Sequence, residues 1–318
     1  MTLTTPSATR LDVEAPRPPR GTTGRRKSRG MVAFVFLAPW LIGLFGLTLG
    51  PMLYSLYLSF TDYNLLAPVA NWVGLDNYIR IFTSDSRAIA SMVVTAVYVL
   101  VAVPLILIAS MLVALLLNSK IGFLTGYRAL FYLPSLLGAS VAVAALWRVI
   151  WGADGIINQV LLFFGIEHLS WVGSPDTALM TIIVLAIWAF GSTMIIFLAG
   201  LRQVPGELHE AAKVDGAGAI RRFFSVTLPM MTPIVFFNTL MVTINAFQAF
   251  TPAYVISGGT GGPSDSTLFY TLYLYQQGFG QLNMGYASAL AWVLVIILGV
   301  FTAVFFWSSK YWVHYGDK

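Results

Sequence analysis

The sequence predicts an all-α, polytopic membrane protein with six transmembrane helices. Three observations carry this. Charged residues make up only 10% of the 318 residues and hydrophobic residues 58%, whereas a soluble domain carries roughly 25% charged residues to wet its surface. The apolar residues fall in continuous runs, not in the polar–apolar alternation of a membrane β-barrel. Six of those runs are long enough, since a helix crosses the hydrocarbon core in about 20 residues. Cysteine is absent, which excludes a disulfide framework and any thiolate metal site.

Taken in order, residues 1–29 are rich in Thr, Pro, Arg and Ser without apolar periodicity and read as a disordered basic tail. A cleavable signal peptide is the rival reading. Its apolar core is roughly 7–15 residues, and the run from Met31 to Phe60 is far longer, so this segment reads as a retained helix. The first span lies within 30–61, uncharged between Arg29 and Asp62, and the second within 88–119. The third, about 129–150, is the shortest; the fourth is about 177–201, the fifth 232–256 and the sixth 286–309. A further apolar stretch, 267–275, is too short to cross and is flanked by Gly and Gln. It is expected outside, as a lip or re-entrant segment. Pro39, Pro51 and Pro104 sit in or near spans. Their freed carbonyls need neighbouring helices, which implies a packed bundle. Residues 30–318 therefore read as one transmembrane domain.

Orientation follows from lysine and arginine placement. With six alternating spans, 15 of the 18 basic residues fall on one side: the tail, the loop with Lys120 and Arg128, the loop with Arg202, Lys213, Arg221 and Arg222, and the end with Lys310 and Lys318. The other side keeps Arg80, Arg87 and Arg148 among most of the acids. Both termini are thus expected in the cytoplasm. The net charge of +5 reads as this topology signal, not as a nucleic-acid surface.

The loop at about 202–230 is the one connection with internal structure. Helix connections are typically about 2–8 residues. Pro205 ends the fourth span, and Glu207 to Val214 reads as a short helix with acids in its first turn. Ala211 and Ala212 are small enough for another backbone to approach. Gly216 permits a sharp turn. Residues 217–226 read as a second short helix anchored by Phe223 and Phe224, with Asp215 a candidate cap. Pro229 and Pro233 mark entry to the fifth span. Two short helices meeting at a glycine make an L-shaped knob, either a plain connector or a docking element for a cytoplasmic partner.

This loop carries a resemblance. Glu210-Ala211-Ala212, Asp215-Gly216-Ala217, Phe223, Leu228-Pro229 and Pro233 stand at the spacings of the EAA loop of inner-membrane permease subunits of ABC importers. Val226 replaces a frequent Ile. Further stretches resemble the carbohydrate-uptake branch, the maltose- and glycerol-phosphate-type permeases: Ala38-Pro39-Trp40, Val73-Gly74-Leu75-Asp76-Asn77-Tyr78, Tyr132-Leu133-Pro134, Gly155-Ile156-Ile157-Asn158, Phe197-Leu198-Ala199-Gly200-Leu201 and the glycine-rich run 258–263. Together they cover most of 34–310.

The resemblance implies a type I ABC importer permease fold in the bacterial inner membrane. It implies a second permease subunit in a heterodimer, two cytoplasmic ATP-binding subunits, and an extracytoplasmic solute-binding protein that delivers a sugar. Glu210, Ala211, Ala212, Asp215, Gly216, Ala217, Phe223, Leu228 and Pro229 become the ATPase-coupling residues. The chain is then a transport subunit and not an enzyme: it lacks the G-x-x-x-x-G-K-[ST] phosphate loop, binds no cofactor or metal, and ATP is used by the partner ATPase. His168, His209 and His314 are scattered and read as solvated side chains.

A sugar path needs hydroxyl-matching polar groups and aromatic faces. The fifth span offers Asn238, Thr243, Asn245, Gln248 and Thr251, with Phe247, Phe250 and Tyr254; the fourth offers Trp188, Ser192 and Thr193. Asn245 and Gln248 are i, i+3 and share a face, and Trp188 and Ser192 lie one turn apart. The path candidates are Asn245, Gln248, Trp188 and Ser192, set against plain inter-helix hydrogen bonding. The rival class, an ion-coupled secondary solute carrier, usually keeps ionisable residues inside its spans, and none lies centrally here.

Overall fold

The computed structural model describes residues 26–67, 69–118, 124–138 and 140–314, so residues 1–25 of the basic tail, Lys120 and Lys318 lie outside the described residues, while residues 26–29 open the first helix. Two compact units divide the chain at Tyr54 and Ser55. The first unit carries α1 (Arg26–Gly43), a π-helical turn (Leu44–Leu49) and the start of α2 (Gly50–Ser59). The π turn has a local cause. Pro51 has no N–H for the i−4 bond and its ring crowds that carbonyl, and the Gly50 N–H reaches back to Phe45 O. From Phe34 to Tyr54 no side chain is buried. A helix apolar all round and bare of packing within its own unit is built for a lipid or protein surround.

The second unit continues with α3 (Asp76–Thr83), α4 (Ser86–Leu117), α5 (Leu124–Leu137), α6 (Val141–Ile150) and α7 (Ile156–Phe163). Next come α8 (Pro175–Trp188), α9 (Gly191–Leu201), α10 (Gly206–Val214), α11 (Ala219–Arg222) and, after a π turn at Phe223–Thr227, α12 (Leu228–Phe247). Then follow α13 (Thr251–Ile256), α14 (Tyr270–Tyr275), a π turn at Gln276–Gly280, and α15 (Met284–Trp312). Among the described residues four stretches are long and apolar enough to cross a membrane, and two bent pairs raise this to six.

Those bent pairs qualify the expected third and fourth spans, which are not straight rods. α5 and α6 meet at 102° and α8 and α9 at 43°. The π turn before α12 repeats the logic seen at Pro51: Pro229 cannot donate, and the Leu228 N–H bonds back to Phe223 O. It also shortens the second loop helix to Ala219–Arg222, where the sequence suggested 217–226.

α4 is the central post, packed against α8, α9, α12 and α14. One core cluster gathers Tyr98, Ala102, Ile182, Phe269, Tyr286 and Leu290. A second, around α9, gathers Ala114, Met194, Phe197 and Met231. The stretch 267–275 packs into the core: Leu268, Phe269 and Leu272 are fully buried. The reason is apolar bulk: it gains more against α4 and α15 than at a wet rim.

Candidate functional site

Three helix breaks converge on one cavity of the second unit, of about 420 Å³. Gly138 ends α5 in the left-handed region, at φ +57. Ala189 and Phe190 separate α8 from α9, and Gln248, Ala249 and Phe250 separate α12 from α13. Gly138, Ala189, Thr193, Asn245, Gln248, Phe250 and Thr251 all line the cavity, with Tyr98 and Ile106 of α4 closing it. Its volume falls in the roughly 300–1,000 Å³ range of small-molecule sites.

Breaks within a span leave backbone carbonyls without helical partners, tolerated only where protein or a wet cavity satisfies them. At the α12–α13 break a side chain of another element does so: Thr271 Oγ1 of α14 donates to Ala249 O at 2.5 Å. At the α8–α9 break Phe190 O keeps the Met194 N–H at 3.1 Å and accepts Ser110 Oγ of α4 at 3.3 Å as a second donor. Close approach fixes the α9 break. A Cβ on Gly191 would stand 2.6 Å from Phe131 O and 2.9 Å from Tyr132 Cα, so only glycine lets α5 and α9 cross there.

The lining contains no Asp, Glu, Lys, Arg or His. It offers amides, hydroxyls and aromatic edges, which match an uncharged polyol surface by hydrogen bonding and ring contact. Asn245 and Gln248 line it and are exposed in this chain. With Phe237 and Met241 they form an i, i+4, i+8, i+11 stripe down one exposed face of α12. Asn238 and Thr243 are instead buried in the bundle.

Trp188 and Ser192 do not line the cavity. The neighbouring positions Ala189 and Thr193 do, so the helical face carrying Trp188 and Ser192 is turned away. The Trp188 ring sits 6.0 Å from that of Trp147, and Ser192 is exposed. Sequence reasoning missed Tyr98 and Gly138. Nothing in the uniform apolar second span singles out Tyr98, and Gly138 reads as one helix glycine among many.

The predicted knob forms. α10 ends in a Schellman motif: the Ala217 N–H donates to Ala212 O at 2.9 Å and the Gly216 N–H to Lys213 O at 3.1 Å. Gly216 holds φ +77, the left-handed value that favours glycine. Asp215 is the C-cap of α10 and not the cap of α11, which Gly218 precedes without a side-chain bond. Glu210, Ala211 and Asp215 are exposed, while Ala212, Ala217, Phe223, Leu228 and Pro229 are half-buried. Val214 is 87% exposed and Ile220 78%. The knob thus presents apolar side chains beside Glu210, a surface suited to a protein partner.

At the far ends of the spans a polar knot ties four elements. Asp85 caps α4 by accepting the Ala88 N–H at 3.0 Å. Its Oδ2 also accepts the hydroxyls of Tyr273 (2.5 Å) and Tyr286 (2.6 Å). Arg80 lies 4.4 Å over the Tyr286 ring, and Arg87 binds Asp265 through both carboxylate oxygens. Burial pushes the Asp85 carboxyl up, but the two tyrosine hydroxyls, the Ala88 N–H and the Arg80 charge outweigh it and hold it below its ordinary value.

The family model for the binding-protein-dependent transport system inner membrane component matches residues 81–313. The chain is 49% identical to the probable ABC transporter permease protein YesP of Bacillus subtilis, over 94% of this chain and 98% of that protein. It is 33% identical to the arabinooligosaccharides transport system permease protein AraP of Halalkalibacterium halodurans, over 86% of each. Among solved structures it is similar in fold to a bacterial alginate ABC transporter in complex with an alginate pentasaccharide-bound periplasmic protein. There the TM-score is 0.76 at 19% identity, covering 91% of this chain and 98% of that one.

Proposed function

Because the chain belongs to the family of binding-protein-dependent transport system inner membrane components, and is thus a membrane-embedded permease subunit of an ABC importer, we propose that it forms one half of a carbohydrate translocation path. The carrying observation is the convergence of three helix breaks on a cavity lined by Asn245, Gln248, Thr193, Thr251, Tyr98 and Phe250, with no Asp, Glu, Lys, Arg or His among the described residues of its lining. Glycans present hydroxyls and apolar ring faces, and this lining answers both. A proton- or cation-coupled carrier usually keeps a carboxylate or basic side chain in its site, and the described lining has neither.

In this reading the exposed stripe of α12 faces a second permease subunit across the path, and that subunit completes the site. The knob from Glu210 to Pro229 sits in a groove of a cytoplasmic ATPase. The Schellman turn at Gly216 keeps α10 at a fixed angle to α11 and α12, so motion of the ATPase is passed to the helix that carries Asn245 and Gln248. ATP is bound and hydrolysed by the partner subunits, both termini face the cytoplasm, and an extracytoplasmic binding protein delivers the solute. The names of AraP and of the alginate transporter support the carbohydrate assignment.

The test is co-purification followed by uptake. A tagged chain should bring down a second permease and an ATP-binding subunit. In proteoliposomes of that complex, Asn245→Ala and Gln248→Ala should each lower glycan uptake several-fold while assembly persists. Unchanged uptake kinetics in both variants would return the two amides to inter-helix packing.

A further inference from the structure

Four aromatic rings form one contiguous cluster at the cavity wall, a triangle of Phe250, Tyr254 and Tyr275 with Phe279 beyond Tyr275. Phe250 lines the cavity. Its ring stacks on Tyr254 at 5.3 Å and contacts Tyr275 at 5.2 Å. Tyr254 and Tyr275 meet edge-on at 5.5 Å, and Tyr275 stacks on Phe279 at 5.2 Å. Phe279 lies in the turn just before α15, near the level of the Asp85 knot, where Gly278 packs on Ala287.

These rings differ from the core aromatics. Tyr270 and Tyr286, on neighbouring elements, are almost wholly buried, whereas Tyr254 is 38% exposed, Tyr275 36% and Phe279 62%. Among the described residues neither the Tyr254 nor the Tyr275 hydroxyl makes a hydrogen bond, while Tyr270, Tyr273 and Tyr286 each use theirs. The backing is rigid. Gly259 of the glycine-rich loop, at φ +80, lies so close that a Cβ would stand 3.2 Å from the Tyr254 ring. The Gln276 amide donates to Gly259 O at 2.8 Å. The loop thus backs the cluster on its Tyr254 side, and the rings stay partly exposed with two hydroxyls unpartnered among the described residues.

Resting on the carbohydrate reading above, we propose that Phe250, Tyr254, Tyr275 and Phe279 form an aromatic track on which successive sugar rings stack as a glycan passes from the outer mouth into the cavity. Aromatic faces bind the apolar faces of sugar rings with little directional demand, so a chain can slide. The two hydroxyls exchange hydrogen bonds with sugar hydroxyls on the way. The cluster reaches from Phe250 through Tyr275 to Phe279, longer than one sugar ring, so a longer glycan keeps contact with it over more of its passage than a disaccharide does.

The experiment uses proteoliposomes holding the whole importer, with its binding protein outside, and follows uptake of lactose, arabinobiose, arabinopentaose and maltopentaose. Phe279→Ala and Tyr275→Leu should each slow uptake of a pentasaccharide about 5-fold below saturation, in line with the strength of an aromatic stacking contact. A disaccharide should lose less, and Tyr275→Phe, which keeps the ring, should lose less than Tyr275→Leu. Phe279 is mostly exposed, so its variant should assemble even if Tyr275→Leu does not. Wild-type uptake by Phe279→Ala, or equal losses for every glycan length, overturns the track alone. If the wild-type importer takes up none of the four sugars, the carbohydrate reading falls and the track with it.

Discussion

Replacing Asp85 should loosen the outer end of the bundle by an amount that follows from its bonds. Its carboxylate accepts the Ala88 N–H and the hydroxyls of Tyr273 and Tyr286, and those tyrosines are 2% and 1% exposed. Asp85→Ala removes the α4 cap, worth about 1 kcal/mol, and takes the carboxylate acceptor from two buried hydroxyls, at about 1–3 kcal/mol each. The Gln277 amide still donates to the Tyr273 oxygen but offers its O–H no acceptor, so the sum is about 3–7 kcal/mol. Asp85→Asn keeps one carbonyl acceptor and should cost about half of that. The pH dependence has a definite sign. The folded carboxyl sits below its ordinary value, so its contribution is complete above the unfolded pKa of about 4 and fades as pH falls through the lower folded value. The gap between wild type and Asp85→Asn should therefore be constant from about pH 5 to 8 and close below about pH 4. The assay is the thermal unfolding midpoint of the detergent-solubilised complex, followed by near-UV circular dichroism. At about 2 °C per kcal/mol for a chain of this size, Asp85→Ala should lower the midpoint by at least about 6 °C. A midpoint within 1 °C of wild type, or a gap that widens in acid, would refute the reasoning.

Three other outcomes follow from the same structure. Gly216→Val meets no atom within 4 Å, so its penalty is the left-handed backbone alone, roughly 1–2 kcal/mol. It should leave assembly intact and separate ATP hydrolysis from uptake; a normal ratio of the two in proteoliposomes would remove the knob from coupling. Asn158 donates to the carbonyls of Gly152, Ala153 and Leu169 and accepts from the Leu169 N–H and the Trp171 indole. Asn158→Ala should expose the loop around α7 to amide hydrogen exchange by about 3 kcal/mol, and unchanged protection across 152–171 would contradict that. Gly285→Ala would drive its Cβ into the Thr61 carbonyl oxygen. It should destabilise by about 1–3 kcal/mol, read as a lowered melting midpoint, and a midpoint equal to wild type would show that the contact yields freely.

Much of the knob at 202–230 is legible without coordinates because its geometry is local. Asp215-Gly216-Ala217 supplies the C-cap, the left-handed residue and the final N–H of a Schellman turn, all within one turn of chain. The cavity is legible only in part. Asn245 and Gln248 stand out as amides in an apolar run, whereas Trp188 and Ser192 look like a pair in sequence while Ala189 and Thr193 are the positions that line the cavity.

By itself the sequence determined which apolar runs are long enough to cross a bilayer and where the knob turns. Burial of apolar runs in lipid and a glycine's positive φ are properties of a few consecutive residues. Only the tertiary structure decided where the spans break and what those breaks enclose. Neither Ala189–Phe190 nor Gln248–Phe250 contains proline or glycine, so neither carries a helix breaker, and only the Gln248 amide stands out. At the second break Thr271, a donor from another helix, satisfies the Ala249 carbonyl that leaves the ladder. The same holds for Asp85, whose hydroxyl partners lie 188 and 201 residues along the chain. A short buried segment such as α14 has no span-length signal of its own, and packing alone assigns its place.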